Sequence, residues 1–127
     1  MNAVTPRAKR ALVMAGGTGG HIFPALAVAQ ALQAQGWHIT WLGTPGSMES
    51  QIVPKHGIAL QTIDFSGVRG KGLKTLLLLP LKLTRAFAQS WGVVGRVKPD
   101  VVLGFGGYVT FPGAMMAVAR GTPLILH

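Results

Sequence analysis

Two stretches of this 127-residue chain repeat one pattern. Gly16-Gly17-Thr18-Gly19-Gly20-His21-Ile22-Phe23-Pro24 follows the apolar run 11–15, and Gly104-Phe105-Gly106-Gly107-Tyr108-Val109-Thr110-Phe111-Pro112 follows the apolar run 101–103. Each reads as a buried strand, a glycine loop, Phe-Pro and a helix, and a chain built from such units is confined to the α/β class. The segments between them alternate in the same way. The spacing predicts a helix over 24–35 that starts at Pro24 and is closed by Gly36, a strand over 39–42, and a short helix over 47–55. It then predicts a strand over 59–65, a glycine-rich basic loop over 66–72, and a long helix over 73–94 kinked at Pro80. A helix over 112–120 and a strand over 124–126 complete the series. This is a doubly wound parallel sheet with right-handed crossovers and the strand order 3-2-1-4-5. In that order the first and fourth strands are neighbours at the topological switch point, so both glycine loops face the place where such sheets bind ligands.

Glycine lets backbone N–H groups approach an anion closely, and the helix that follows adds its positive end. Two such loops side by side suit a diphosphate; the competing reading is a pair of tight strand-to-helix turns. A dinucleotide fingerprint is disfavoured, because Ile22 stands where its third glycine belongs and the second strand ends in Trp41-Leu42-Gly43-Thr44, with no acid before Glu49. No Gly-Lys-Ser/Thr follows either loop, which disfavours a Walker-type nucleotidase.

His21 closes the first loop, just before the predicted helix. A neutral imidazole there can take a proton from a sugar or alcohol hydroxyl, hydrogen-bond a ligand, or simply cap the helix. His38 and His56 read as structural. The acids are Glu49, Asp64 and Asp100, with Asp100 at the far end of the sheet from the loops, too few for a two-carboxylate glycosidase or a two-metal centre. No two histidines have metal-ligand spacing and there is no cysteine, so neither a metal nor a cofactor is expected.

Lysine and arginine number 12 against 3 acids, a net charge of +9, while 49% of residues are hydrophobic. So apolar a chain is not a disordered basic tail, and the combination points to a membrane surface or a polyanionic ligand. Basic residues are not interleaved with stacking aromatics, so no nucleic acid is expected as a partner. The apolar run after Arg7, Lys9 and Arg10 is too short for a signal peptide, and the run 73–83 is broken by Lys74, Pro80 and Lys82, so no segment reads as a membrane span. On a helical wheel Leu73, Leu76, Leu77, Leu83, Phe87 and Trp91 form one face, expected to pack on the core. Leu78, Leu79 and Leu81 are surplus to it and are expected to form an exposed patch ringed by Arg69, Lys71, Lys74, Lys82 and Arg85. Interfacial docking on anionic lipid is one use of that patch; a protein interface is the other.

Several of these motifs, taken together, resemble a known family. G-G-T-G-G-H-I-F-P-A-L-A (16–27), W-L-G-T with M-E (41–44 and 48–49), V-P-K-H-G-I (53–58), S-G-V-R-G-K-G (66–72) and K-P-D-V-V-L-G-F-G-G-Y-V (98–109) are similar, in order and spacing, to the MurG family of bacterial peptidoglycan glycosyltransferases. The resemblance implies the N-terminal half of a GT-B fold with a Rossmann-like sheet. It implies metal-free, inverting transfer of GlcNAc from UDP-GlcNAc to lipid I, the undecaprenyl-diphosphate-linked MurNAc-pentapeptide, giving lipid II at the cytoplasmic face of the cell membrane. Thr18, Gly19 and Gly20 would carry substrate contacts, His21 would be the candidate base or hydroxyl-orienting residue, and Gly106, Gly107 and Tyr108 would face the acceptor. Leu73, Leu77, Leu78, Leu79 and Leu81, with the five basic residues around them, would dock on anionic inner-leaflet lipids.

The family continues beyond the position of His127 into a C-terminal donor domain. Residues 1–127 are therefore expected to be one N-terminal, acceptor-side domain that is inactive without the other half. A non-catalytic membrane-binding module of a split glycosyltransferase is the alternative.

Overall fold

The computed structural model describes residues 7–65 and 73–127; the loop expected over 66–72, with Arg69 and Lys71, lies outside them. The chain runs β1 (Arg10–Ala15), α1 (Gly19–Ala34), β2 (His38–Gly43), α2 (Met48–Ile52) with a 3-10 turn (Val53–His56), β3 (Ala59–Thr62), α3 (Leu73–Val97), β4 (Val101–Gly106), α4 (Thr110–Ala119) and β5 (Leu124–Leu126). The five strands form one parallel sheet in the order β3-β2-β1-β4-β5, the order the sequence predicts.

β1 is central, and all its residues from Ala11 to Ala15 are fully buried. Side chains alternate across a strand, so Ala11, Val13 and Ala15 pack with Ile22, Leu26 and Trp41 beneath α1, while Leu12 and Met14 pack with Ala86, Val93 and Val94 beneath α3. Trp41 is the largest fully buried side chain, and its indole N–H donates to the Ala15 carbonyl at 3.0 Å. That bond ties β2 to the last residue before the first glycine loop and satisfies a polar atom that burial would otherwise leave unpaired. Removing so large a buried ring typically costs about 3–5 kcal/mol.

Both helices that follow a glycine turn end alike. At the end of α1 the Gly36 and Trp37 N–H groups donate to the carbonyls of Gln33 and Leu32, and at the end of α4 those of Gly121 and Thr122 donate to Val118 and Ala117. This doubled closure ends each helix sharply and sends the chain back to the sheet.

Some boundaries differ from expectation. α1 begins at Gly19 and carries Pro24 inside it, so His21 is a first-turn helical residue and does not precede the helix. The helix starts five residues early, at the turn Gly16–Thr18, and Pro24, its sixth residue, removes one intrahelical hydrogen bond without ending it. The helix expected over 47–55 is a single α-turn that gives way to the 3-10 turn at Val53, and β3 stops at Thr62. Pro80 lies within a continuous α3.

Candidate functional site

The two glycine turns meet. The Gly16 N–H donates to the Gly106 carbonyl at 3.2 Å, and Thr110, the first residue of α4, donates its hydroxyl to the same oxygen at 2.9 Å. The register between β1 and β4 shifts at this point, Met14 pairing with Gly104 but Ala15 with Gly106. The extra residue, Phe105, is a bulge at the carboxyl end of the sheet, where it re-aims the second turn toward the first. Glycine is required at the junction. Gly107 has φ +95°, and a methyl group there would run into the Gly16 carbonyl; Gly106 has φ +118° and lies against the His21 ring.

His21 therefore sits between the turns. Its Nδ1 is 3.3 Å from the Gly16 carbonyl and 3.5 Å from the Thr18 hydroxyl. A carbonyl only accepts, so the contact is a hydrogen bond when Nδ1 carries the proton, and in that tautomer Nε2 keeps its lone pair. Nε2 has no hydrogen-bond partner among the described residues, and the ring is only half-buried.

Thr18 is the N-cap of α1 but makes no capping bond with its side chain. The N–H groups of Thr18, Gly19, Gly20, Gly107 and Tyr108 find no acceptor among the described residues. Gly17, Thr18, Gly20 and Tyr108 are exposed. Unsatisfied N–H groups at a helix start, together with the dipole, attract an anion and favour it by about 0.3–1 kcal/mol per helix. The sequence-predicted residues Thr18, Gly19, Gly20, His21, Gly106, Gly107 and Tyr108 thus lie in one place, on two adjoining turns.

Two further residues take part to which the sequence reading gave no role. Thr110 holds the Gly106 carbonyl, as above; its only signal was a hydroxyl residue at a helix start. Glu49, on α2, is buried beneath the first turn and accepts the N–H groups of Gly17 at 3.4 Å and Thr44 at 3.3 Å. Its signal was its place five residues after Thr44 in a chain poor in acids.

Asp100 stands at the opposite end of the sheet, as expected. It accepts the Arg10 N–H at 2.8 Å and pairs with Arg7 at 2.9 Å. The Arg10 backbone N–H first, then the Arg7 side chain, hold its carboxyl below the usual carboxylate range.

On α3 the expected faces are corrected. Leu73, Leu76, Leu77 and Trp91, assigned to the core, are exposed, Leu73 and Leu77 by more than two thirds (74% and 71%). The core face is instead Ala86, Ser90, Val93 and Val94, with Leu83 partly buried. Small Ala86 and Ser90 let the helix lie close on the sheet, so the docked face is turned away from the leucines. Leu79 shares the angular position of Ala86, Ser90 and Val93 on a 3.6-residue helix and is half-buried, whereas Leu78 and Leu81 are exposed as expected. Of the basic residues, Arg85 pairs with Asp64 at 2.8 Å, and both line a cleft of about 370 Å³ that also includes Lys82, Thr44 and Phe65. The side chain of Lys74 is not among those described. No helix of the described residues is long and apolar enough to cross a membrane, and no three His, Asp or Glu side chains among them converge as metal ligands.

A five-stranded parallel sheet whose central strand β1 and its neighbour β4 end in adjoining glycine turns is a Rossmann-like domain, and its matches to a glycosyltransferase family and to a solved MurG make it the N-terminal domain of a GT-B glycosyltransferase. The chain belongs to glycosyltransferase family 28: the family's N-terminal domain matches residues 11–127. It is 71% identical over 119 residues to the "UDP-N-acetylglucosamine--N-acetylmuramyl-(pentapeptide) pyrophosphoryl-undecaprenol N-acetylglucosamine transferase" of Paracidovorax citrulli, covering 94% of this chain and 34% of that protein. The identically named protein of Ralstonia nicotianae is 66% identical over 116 residues, covering 91% and 32%. The crystal structure of Acinetobacter baumannii MurG matches with a TM-score of 0.82 and 44% identity over 94% of this chain and 35% of that one. The chain spans about a third of the length of the curated relatives it matches.

Proposed function

We propose that this chain is the acceptor-side portion of an inverting glycosyltransferase that moves GlcNAc from UDP-GlcNAc to lipid I, forming lipid II for peptidoglycan. The observation that carries the reading is the junction of the two glycine turns with His21 between them. Free N–H groups of Thr18, Gly19, Gly20, Gly107 and Tyr108 suit the diphosphate of the lipid-linked acceptor. The His21 Nε2, with its lone pair free, takes the proton of the C4 hydroxyl of MurNAc or orients that hydroxyl as its oxygen attacks the anomeric carbon. The new C–O bond forms as the bond to UDP breaks, with inversion, and UDP leaves with the electron pair. UDP-GlcNAc is held by a C-terminal domain, so the 127-residue chain alone turns nothing over.

The acceptor is lipid-linked, and the enzyme sits peripherally on the cytoplasmic face of the membrane. The exposed Leu73, Leu77, Leu78 and Leu81, with Leu79, Lys74, Lys82, Arg85 and, from the sequence, Arg69 and Lys71, dock on anionic inner-leaflet lipids. Each basic side chain near such a leaflet adds roughly 1 kcal/mol. This exposed leucine face also favours a second reading, that the chain is a non-catalytic membrane-binding module of a split transferase.

The test is reconstitution. The chain is joined to, or mixed with, the C-terminal part of a relative and assayed for transfer of labelled GlcNAc to a lipid I analogue. Transfer by the pair and none by the chain alone is the expected result. A preference for another nucleotide sugar overturns the donor assignment, whereas no transfer although both parts are folded overturns the enzymatic reading and leaves the module.

A further inference from the structure

Glu49 is a carboxylate buried to 1% exposure beneath a turn whose free face is built to receive an anion, a placement that charge alone would disfavour. Its Oε1 takes the Gly17 N–H at 3.4 Å; its Oε2 takes the Thr44 N–H at 3.3 Å and the Thr44 hydroxyl at 3.5 Å. Each contact is long and weak taken singly. Together they are the donors that a buried charge requires, and among the described residues it has no others. The backbone makes room for it: the Glu49 side chain lies against Gly16 on one side and Gly43 on the other, where a methyl group at either would strike it. One carboxylate therefore links the end of β1, the end of β2 and the start of α1.

We propose that Glu49 is a positioning residue for the diphosphate seat. By drawing the Gly17 N–H inward it fixes the turn in the one orientation that leaves the Thr18, Gly19 and Gly20 N–H groups unpaired and available, and by holding Thr44 it ties that turn to the neighbouring strand. Two glycines of the repeated pattern thereby have separate tasks: Gly16 accommodates Glu49, whereas Gly20, with nothing closer to it than the Thr18 hydroxyl, leaves space for the ligand. The inference rests on the reading of the turns as an anion seat, and it carries an opposite sign from a simple charge effect. Were Glu49 only a nearby negative charge, removing that charge would strengthen anion binding. As a positioning group, its loss weakens binding.

The experiment follows the backbone amides and the Glu49 side-chain carboxyl carbon of the 13C,15N-labelled 127-residue chain, first through a pH titration and then with inorganic pyrophosphate as the probe, in the native chain, E49Q and E49A. Gln keeps one acceptor and presents an N–H where the second acceptor stood, so it holds Gly17 or Thr44 but not both. The Gly17 and Thr44 amides are expected to titrate in step with the Glu49 side-chain carboxyl carbon in the native chain and to lose that response in E49Q. Pyrophosphate affinity is expected to fall at least about tenfold in E49Q, and further in E49A, while the near-ultraviolet signal of buried Trp41 is kept. Equal or tighter binding in E49Q overturns the proposal. If the native chain binds no pyrophosphate, the reading of the turns as a diphosphate seat fails. The amide titration then decides Glu49 alone: a response of Gly17 and Thr44 that follows the carboxyl supports its hold on the turn, and independence from it overturns that hold.

Discussion

The backbone N–H of Gly16 donates to the carbonyl of Gly106 at 3.2 Å across 90 residues of sequence, so the two glycine turns form a single surface. The His21 ring lies over Gly106 and its Nδ1 points at the carbonyl of the same Gly16. The reach of the site from β1 to β4 depends on that contact.

Gly107 is where the contact is least tolerant of change. Its φ of +95° and its approach to the Gly16 carbonyl both exclude a side chain. G107A should destabilise the chain by about 1–3 kcal/mol. Urea unfolding that gives no change would show that the turns can separate at no cost.

Gly20 should behave in the opposite way. It lies in the first turn of α1, where glycine costs up to about 0.5–1 kcal/mol relative to alanine, and a methyl group there meets only the Thr18 hydroxyl at 3.6 Å. G20A should leave stability equal or slightly higher and weaken pyrophosphate binding at least about tenfold, because the methyl group fills the ligand's space. Calorimetry showing unchanged affinity would move the seat elsewhere.

For His21 the two roles separate by substitution in the reconstituted enzyme. H21A should lower kcat about 10²–10⁴-fold with little change in KM for the nucleotide sugar. H21Q presents hydrogen-bonding groups but takes no proton; if it is as poor as H21A, His21 is the base, and if it recovers most of the rate, His21 orients the hydroxyl.

The leucines of α3 offer a test that leaves the core untouched. Leu77 and Leu81 are 71% and 68% exposed, so L77E and L81E should change folding stability by no more than about 0.5 kcal/mol. They should reduce sedimentation with anionic vesicles, and added salt should weaken what remains. Vesicle binding that is indifferent to both variants would assign the patch to a protein partner.

Asp100 gives a pH dependence with a fixed sign. Its carboxyl is held below its ordinary value of 3.8, chiefly by the Arg10 N–H and then by Arg7. Its contribution to stability is therefore complete above 3.8 and is lost as pH falls through the lowered value. The gap in urea midpoint between the native chain and D100N should be constant at neutral pH and should close on acidification below that point. A gap that widens in acid would reverse the assignment.

The sequence by itself determined the class of fold, the strand order and the pairing of the glycine turns. Those follow from local signals: apolar runs that end at glycine, helices closed by Gly36 and Gly121, and one pattern written twice at the ends of strands that a doubly wound sheet must set side by side. Only the tertiary structure decided which face of α3 is buried and what lies under the first turn. A helical wheel orders side chains around an axis but does not fix how that axis is rotated against the sheet. Here small Ala86 and Ser90 permitted the closest approach, and the large leucines were left outside. Glu49 was beyond local reading for the same kind of reason: its burial depends on the void left by Gly16 and Gly43, two residues that come together only once β1 and β2 have paired.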